Sequence, residues 1–171
     1  MKTYSFDGWS QWAKLMTTKK NKKGCPAVFP GGKLFRPLRD VLCSIETVGT
    51  GGGLFRSLYS RYMHEASFIT GLRGGFSTVA SSFRSLGEGW WALAEFCLPD
   101  RVELFRETKN LLRKRRKAYE REGPSQEYLD CTAELNELDK TVRADFPLNE
   151  KKSSDLLGGL ESEVERLVEV G

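Results

Sequence analysis

Apolar residues recur at the spacing of an α-helix along almost the whole chain, and this pattern constrains the fold more than any other feature. The clearest run is residues 54–69, where apolar side chains follow the spacing i, i+3, i+4 without a slip. No segment shows convincing strict alternation, and no Asn-Gly or Asp-Gly pair lies between two β-branched runs. The sequence therefore predicts an all-α fold, an irregular bundle of about six to seven helices.

Glycine and proline divide this pattern into separate helical segments. Gly87 and Gly89 lie inside the fourth segment, where each costs roughly 1 kcal/mol relative to alanine, so we expect a kink or a split there. We expect residues 1–171 to form a single helical domain. The segments cover approximately residues 9–17, 33–47, 54–69, 76–98, 100–122, 125–144 and 153–170.

Charge is distributed unevenly along the chain. Residues 1–122 carry 22 basic and 11 acidic side chains, whereas residues 123–171 carry 5 basic and 12 acidic side chains. The two parts therefore have opposite net charges, and we expect them to attract each other or a common partner. Hydrophobic residues make up 39% of the chain, which is enough for a core and argues against global disorder.

The cysteines are scattered, and none belongs to a C-x-x-C pair. With a single histidine in the chain, a zinc site is not expected, and no cofactor is indicated. The scattered cysteines favour a reducing compartment. Neither a signal peptide nor a run of 18 apolar residues is found in the sequence. We therefore expect a cytoplasmic protein without a membrane partner. The cysteines are Cys25, Cys43, Cys97 and Cys131.

A glycine-rich stretch, residues 49–53, precedes the clearest helical run. A dinucleotide-binding fingerprint needs G-x-G-x-x-G after a strand, but the third position here is Leu54 and a helical pattern comes first. The Gly-Lys-Ser/Thr ending of a phosphate-binding Walker loop is also missing. The simplest interpretation is a tight turn between helices. The alternative is a helix start that holds a phosphate or carboxylate with help from Arg56.

His64 lies beside the apolar stripe of residues 54–69. Paired with Cys43 or Cys97, it would make the chain a stand-alone acyl- or thioester-transfer enzyme. Nothing in the sequence brings either cysteine to this histidine, so an ordinary, partly exposed histidine is the favoured interpretation.

A basic run occupies residues 109–117, and Arg113, Arg116 and Lys117 share one face of the predicted helix. Together with the basic loop 19–23, this face could bind the phosphates of a nucleic acid. Acidic residues are interspersed, however, and acidic helices follow. A solvated or intramolecularly paired face is therefore favoured, and nucleic acid is not the expected partner.

Residues 51–66 carry the pattern Gly-Gly-Gly-Leu-Phe-Arg-x-x-Tyr-x-x-Tyr-Met-x-Glu-Ala. Trp12-Ala13-Lys14-Leu15 precedes it, and Leu98-Pro99-Asp100 follows. This combination resembles the helical C-terminal region of butirosin biosynthesis protein H-like proteins, which is classed as a domain of unknown function. The resemblance is close over residues 9–100 and loose over the helical C-terminal part, residues 101–171.

In that family a cysteine-peptidase-like domain precedes the helical region. The type member resembles an acyltransferase that moves an aminoacyl group from an acyl carrier protein to an aminoglycoside. The resemblance implies that the nucleophilic cysteine belongs to that other domain, so no catalytic residue is carried over to this chain. It marks, as candidates for ligand or partner binding, Gly51, Gly52, Gly53, Arg56, Tyr59 and Glu65.

The resemblance favours an accessory domain that binds a substrate or a partner and is not catalytic alone. One hypothesis is that the chain is a split or truncated gene product. The implied partners are a protein that supplies the N-terminal domain or an acyl carrier protein, and a homo-oligomer is a further option. We expect the candidate stretch at an interface of the helix bundle or at the rim of a pocket.

Overall fold

The computed structural model describes residues 6–20, 22–48 and 53–170. This part of the chain contains eight α-helices and no strand, which confirms the predicted all-α fold. The helices are α1 (Phe6–Thr17), α2 (Cys25–Val28), α3 (Phe35–Cys43), α4 (Gly53–Thr70), α5 (Arg73–Cys97), α6 (Glu103–Glu122), α7 (Gln126–Ala144) and α8 (Glu150–Val170).

The helix predicted over residues 33–47 is present, but it consists of three consecutive pieces. A 3₁₀ turn, Gly31–Leu34, leads into α3, and a π-helical turn, Ser44–Val48, follows it. The short helix α2 was not predicted, because four residues are too few to show a helical period.

The core lies where α1, α3, α5 and α8 meet. The helix α1 packs along α8, and both α8 and α3 pack against α5. Phe35 of α3 stacks on Phe105 of α6, with ring centroids 5.7 Å apart, and both side chains are almost completely buried. Leu93 and Leu156 contribute fully buried side chains from α5 and α8.

The helices α4 and α5 form an antiparallel hairpin whose contact face is built from small residues. Gly53, Ser60 and Ser67 of α4 recur every seven residues, and all three are buried. The hydroxyl of Ser60 donates a hydrogen bond of 2.7 Å to the carbonyl oxygen of Ala80. The hairpin turns at Gly71, whose φ of +73° is a conformation that favours glycine. Small side chains therefore let the two helices pack closely.

The helix α5 is continuous through Gly87 and Gly89, so the split expected at these residues is wrong. Both glycines lie where another helix approaches closely. A Cβ at Gly87 would lie 3.0 Å from Oγ of Ser57, and a Cβ at Gly89 would lie 2.6 Å from Cδ2 of Leu167. These two glycines therefore provide space for neighbouring helices, and packing against those helices outweighs their low helix propensity.

Candidate functional site

Two of the candidate residues, Gly53 and Arg56, lie at the base of the hairpin and face the bundle. Gly53 is buried, and a Cβ there would lie 2.9 Å from Nε1 of Trp91. The guanidinium carbon of Arg56 lies 4.9 Å from the ring centroid of Trp90 and 5.7 Å from that of Trp9. Partial burial lowers the pKa of Arg56 from its ordinary value. Both residues therefore join the hairpin to the bundle.

Two further candidates, Tyr59 and Glu65, are exposed. The ring of Tyr59 lies 4.5 Å from that of Phe83 on α5, but 40% of this tyrosine remains accessible. Glu65 is exposed on α4 and has no ion-pair partner in the described part of the chain. The four described candidates therefore do not converge on one pocket. The other two, Gly51 and Gly52, lie outside the described residues.

The side of α4 that faces away from α5 carries large, exposed apolar residues, and we call it the outer face of α4. Leu58 is 58% exposed, Tyr62 is 61% exposed and Ile69 is 86% exposed. The apolar stripe of an amphipathic helix ordinarily faces the core, but α4 contacts α5 through the side opposite to its stripe. The outer face comprises Leu54, Phe55, Leu58, Tyr62, Glu65 and Ile69, flanked by Tyr59 and Arg61.

The exposed apolar surface continues to the tip of the hairpin. Phe68 and Leu72 are 59% and 65% exposed, and the guanidinium carbon of Arg73 lies 5.5 Å from the ring centroid of Phe68. An open groove of about 740 Å³ runs between the two helices here, lined among others by Tyr59 and Phe76. At roughly 150–250 Å² for each freely exposed large side chain, the outer face and tip expose on the order of 700 Å².

A comparison with known proteins identifies the family of this chain. Residues 33–123 match the sequence model of a family described as Domain of unknown function (DUF4872). This chain belongs to the DUF4872 family. The match covers more than half of the chain, from the start of α3 through α6, and it contains the whole hairpin. No curated protein and no solved structure matches the chain.

Within the basic run of this DUF4872 chain, Lys109, Arg113 and Arg116 form ion pairs inside the molecule. Lys109 is 2% exposed, and its Nζ lies 2.5 Å from Oε2 of Glu95 and 2.8 Å from Oδ1 of Asp100. Arg113 donates a hydrogen bond of 2.6 Å to Oε1 of Glu46 and also pairs with Glu95. These contacts confirm the interpretation of an intramolecularly paired face for Lys109 and Arg113.

The same network tethers α6 to the π-helical turn and to the end of α5. Arg116 donates a hydrogen bond of 2.7 Å to the backbone carbonyl of Glu46, which is itself buried. Partial burial would raise the pKa of Glu95, but hydrogen bonds from Lys109 and Arg113 and their positive charges lower it overall. Hydrogen bonds to Glu46 and Glu95 raise the pKa of Arg113. Lys109 and Arg113 are therefore held by carboxylates of their own chain.

The cysteines proposed as nucleophiles are not activated. Burial raises the pKa of the Cys97 thiol to about 12, and it also raises the pKa of Cys43. His64 is exposed on α4, where its ring lies 5.0 Å from that of Phe68. In the described part of the chain, no hydrogen bond joins His64 to a thiol. A thiolate attacks, whereas a thiol does not, so this arrangement does not favour nucleophilic chemistry at neutral pH.

The described residues contain no group of three or more His, Cys, Asp and Glu side chains that could hold a metal ion. None of the described helices combines the length and the apolar character needed to cross a bilayer.

The apolar periodicity of α4 did not show which face packs within the bundle and which face is exposed. The seven-residue recurrence of Gly53, Ser60 and Ser67 is the signal that identifies the packed side. Phe68 and Leu72, which extend the apolar surface to the tip, were also missed, because they lie off the main stripe or beyond the end of the helix.

Proposed function

We propose that this DUF4872 chain is a non-catalytic accessory domain that binds a protein partner through the outer face of α4. The single observation that carries this proposal is the exposed apolar stripe, with Leu58, Tyr62 and Ile69 each more than half accessible. Apolar surface exposed to water costs about 25 cal/mol for each Å². Contiguous apolar patches of several hundred Å² on a protein surface are typical of interaction sites.

The resemblance to butirosin biosynthesis protein H-like acyltransferases suggests a biochemical setting for this activity. In that setting, the catalytic cysteine belongs to a separate cysteine-peptidase-like domain, and the helical chain binds a protein partner. The raised pKa values of Cys43 and Cys97 support this division of roles, because neither thiol is prepared for nucleophilic attack.

A direct test compares a variant in the outer face with a matched control. Leu58→Glu places a charge in the middle of the stripe, and Leu129→Glu places the same charge at a residue that is 52% exposed on α7. The mass of each purified chain is measured by light scattering after size-exclusion chromatography. Each chain is examined alone and mixed with the cysteine-peptidase-like domain of a butirosin biosynthesis protein H-like protein.

The proposal predicts an assembly larger than the monomer under at least one of these conditions. We expect Leu58→Glu to abolish the assembly and Leu129→Glu to preserve it. A wild-type chain that is monomeric under both conditions, or an assembly that Leu58→Glu leaves intact, contradicts the proposal.

A further inference from the structure

The residues on the outer face of α4 are spaced like those of a helix that packs along another helix. Phe55, Leu58, Tyr62, Glu65 and Ile69 alternate three and four residues apart, which is the a/d spacing of a coiled-coil seam. We infer that the partner is a second copy of this chain, whose α4 packs antiparallel against the first. This inference rests on the proposed function, because it names the occupant of the same surface.

Charge complementarity favours a second copy in this orientation. Arg61 and Glu65 are both exposed, and neither has an ion-pair partner in the described part of the chain. An arginine that precedes a glutamate by four residues is in the less favourable order for pairing within one helix. A parallel pair of α4 helices would place Glu65, which lies in the seam, beside Glu65 of the partner subunit. An antiparallel pair, related by a two-fold axis near Met63, places Arg61 opposite Glu65 of the partner subunit at two positions.

The same two-fold axis matches the apolar residues. It places the half of α4 that contains Phe55 and Leu58 along the half of the second copy that contains Ile69 and leads to the turn at Gly71. The exposed large residues lie on both sides of Met63, so each half has an apolar surface to cover. A surface that is complementary to itself about a two-fold axis is what an isologous dimer requires.

The exposed apolar area is also close to the area that a stable dimer buries on each subunit. The outer face and tip expose on the order of 700 Å² of large side chains. A standard interface buries about 800 Å² on each partner. A second copy therefore covers the exposed surface with an interface of ordinary size.

A charge swap tests both the partner and the orientation. In a homodimer, Arg61→Glu places two glutamates opposite each other, and Glu65→Arg places two arginines opposite each other. The double variant, Arg61→Glu with Glu65→Arg, restores opposite charges in an antiparallel dimer of itself. Both positions are exposed, so circular dichroism should show unchanged helical content in all three variants. The dissociation constant of each chain is measured by sedimentation velocity over a range of concentrations.

We expect the wild-type chain to dimerise. Each single variant should raise the dissociation constant by about tenfold or more, and the double variant should return it to within a few-fold of the wild type. A double variant that stays as weak as the single variants overturns the antiparallel pairing. A wild-type chain that stays monomeric overturns the second copy as the partner.

The failure of this inference is distinguishable from the failure of the proposed function. If the chain alone is monomeric, but Leu58→Glu disrupts its complex with a cysteine-peptidase-like domain, the proposed function stands and self-pairing is wrong. If Leu58→Glu disrupts nothing, both are wrong.

Discussion

The guanidinium carbon of Arg56 lies 4.9 Å from the ring centroid of Trp90, so the first turn of α4 is held directly against α5. The indole of Trp90 also meets the indole of Trp9 edge-on, with centroids 5.2 Å apart. One arginine therefore links three helices at the base of the hairpin. This contact gives Arg56 a structural role: it fixes the hairpin from which the outer face of α4 is presented.

Removal of the Arg56 guanidinium should weaken the packing at the base of the hairpin. We expect Arg56→Met to lower the free energy of unfolding by about 1–2 kcal/mol, because a partly desolvated cation–π contact is lost. Arg84→Met is the matched control, since Arg84 is exposed on α5. Urea denaturation of both variants gives the comparison, and equal midpoints for the two variants would argue against the structural role of Arg56.

Two adjacent glycines of α8 should respond in opposite directions to alanine. A Cβ at Gly159 would overlap the ring of Phe96, whereas a Cβ at Gly158 meets nothing within 4 Å. We expect Gly159→Ala to lower the free energy of unfolding by about 1–3 kcal/mol, because the ring must move. Gly158→Ala should raise it by up to about 1 kcal/mol, because alanine is the better helix former. Thermal unfolding of the pair checks this, and a stabilising Gly159→Ala would contradict the packing of α8 on α5.

The ion pairs of Glu95 predict a loss of stability in acid. Its hydrogen bonds from Lys109 and Arg113 lower its pKa in the folded state, against the opposing effect of burial. The stabilisation is therefore present above the unfolded-state pKa, about 4.3, and it is lost as the pH falls through the lower, folded-state value. Glu95→Gln should reduce the urea midpoint at neutral pH, and the difference from wild type should shrink below about pH 4.

The control for this pH dependence is Glu88→Gln, an exposed residue of the same helix that makes no ion pair in the described part of the chain. Its urea midpoint should follow that of the wild type throughout the titration. A constant difference between Glu95→Gln and wild type from neutral to acidic pH would show that the ion pairs of Glu95 are not responsible.

The thiols should be inert toward an acyl thioester. Burial raises the pKa of Cys97 to about 12 and also raises that of Cys43, so both remain protonated at neutral pH. Intact-mass spectrometry after incubation with an acyl thioester should therefore show no adduct on either residue. An adduct on Cys43 or Cys97 that His64→Ala removes would favour the enzyme alternative instead.

The positions of most helices could be predicted from the sequence, because Gly and Pro interrupt a regular apolar spacing. Ser125 illustrates this: it was predicted to begin a helix, and its Oγ accepts a hydrogen bond from the backbone N–H of Tyr128 at the start of α7. The split expected at Gly87 was wrong, because this glycine makes room for Ser57, which is about 30 residues away in the sequence. Local propensity does not encode such a contact.

The candidate site was harder to predict than the fold. Periodicity shows that α4 has an apolar face, but it does not show whether the same chain covers that face. The roles of Gly53 and Arg56 depend on Trp91 and Trp9, which are distant in sequence and are brought close only by the packing of α1 and α5.

The most direct measurement of the central claim is hydroxyl-radical footprinting of the wild-type chain at low and high concentration. Leu58, Tyr62 and Ile69 on the outer face are the reporters, and Tyr119, which is 56% exposed on α6, is the internal control. We predict that oxidation of the three reporters falls as the concentration rises, while oxidation of Tyr119 stays constant. Equal oxidation of the outer face at every concentration would contradict the assignment of this surface to a second copy.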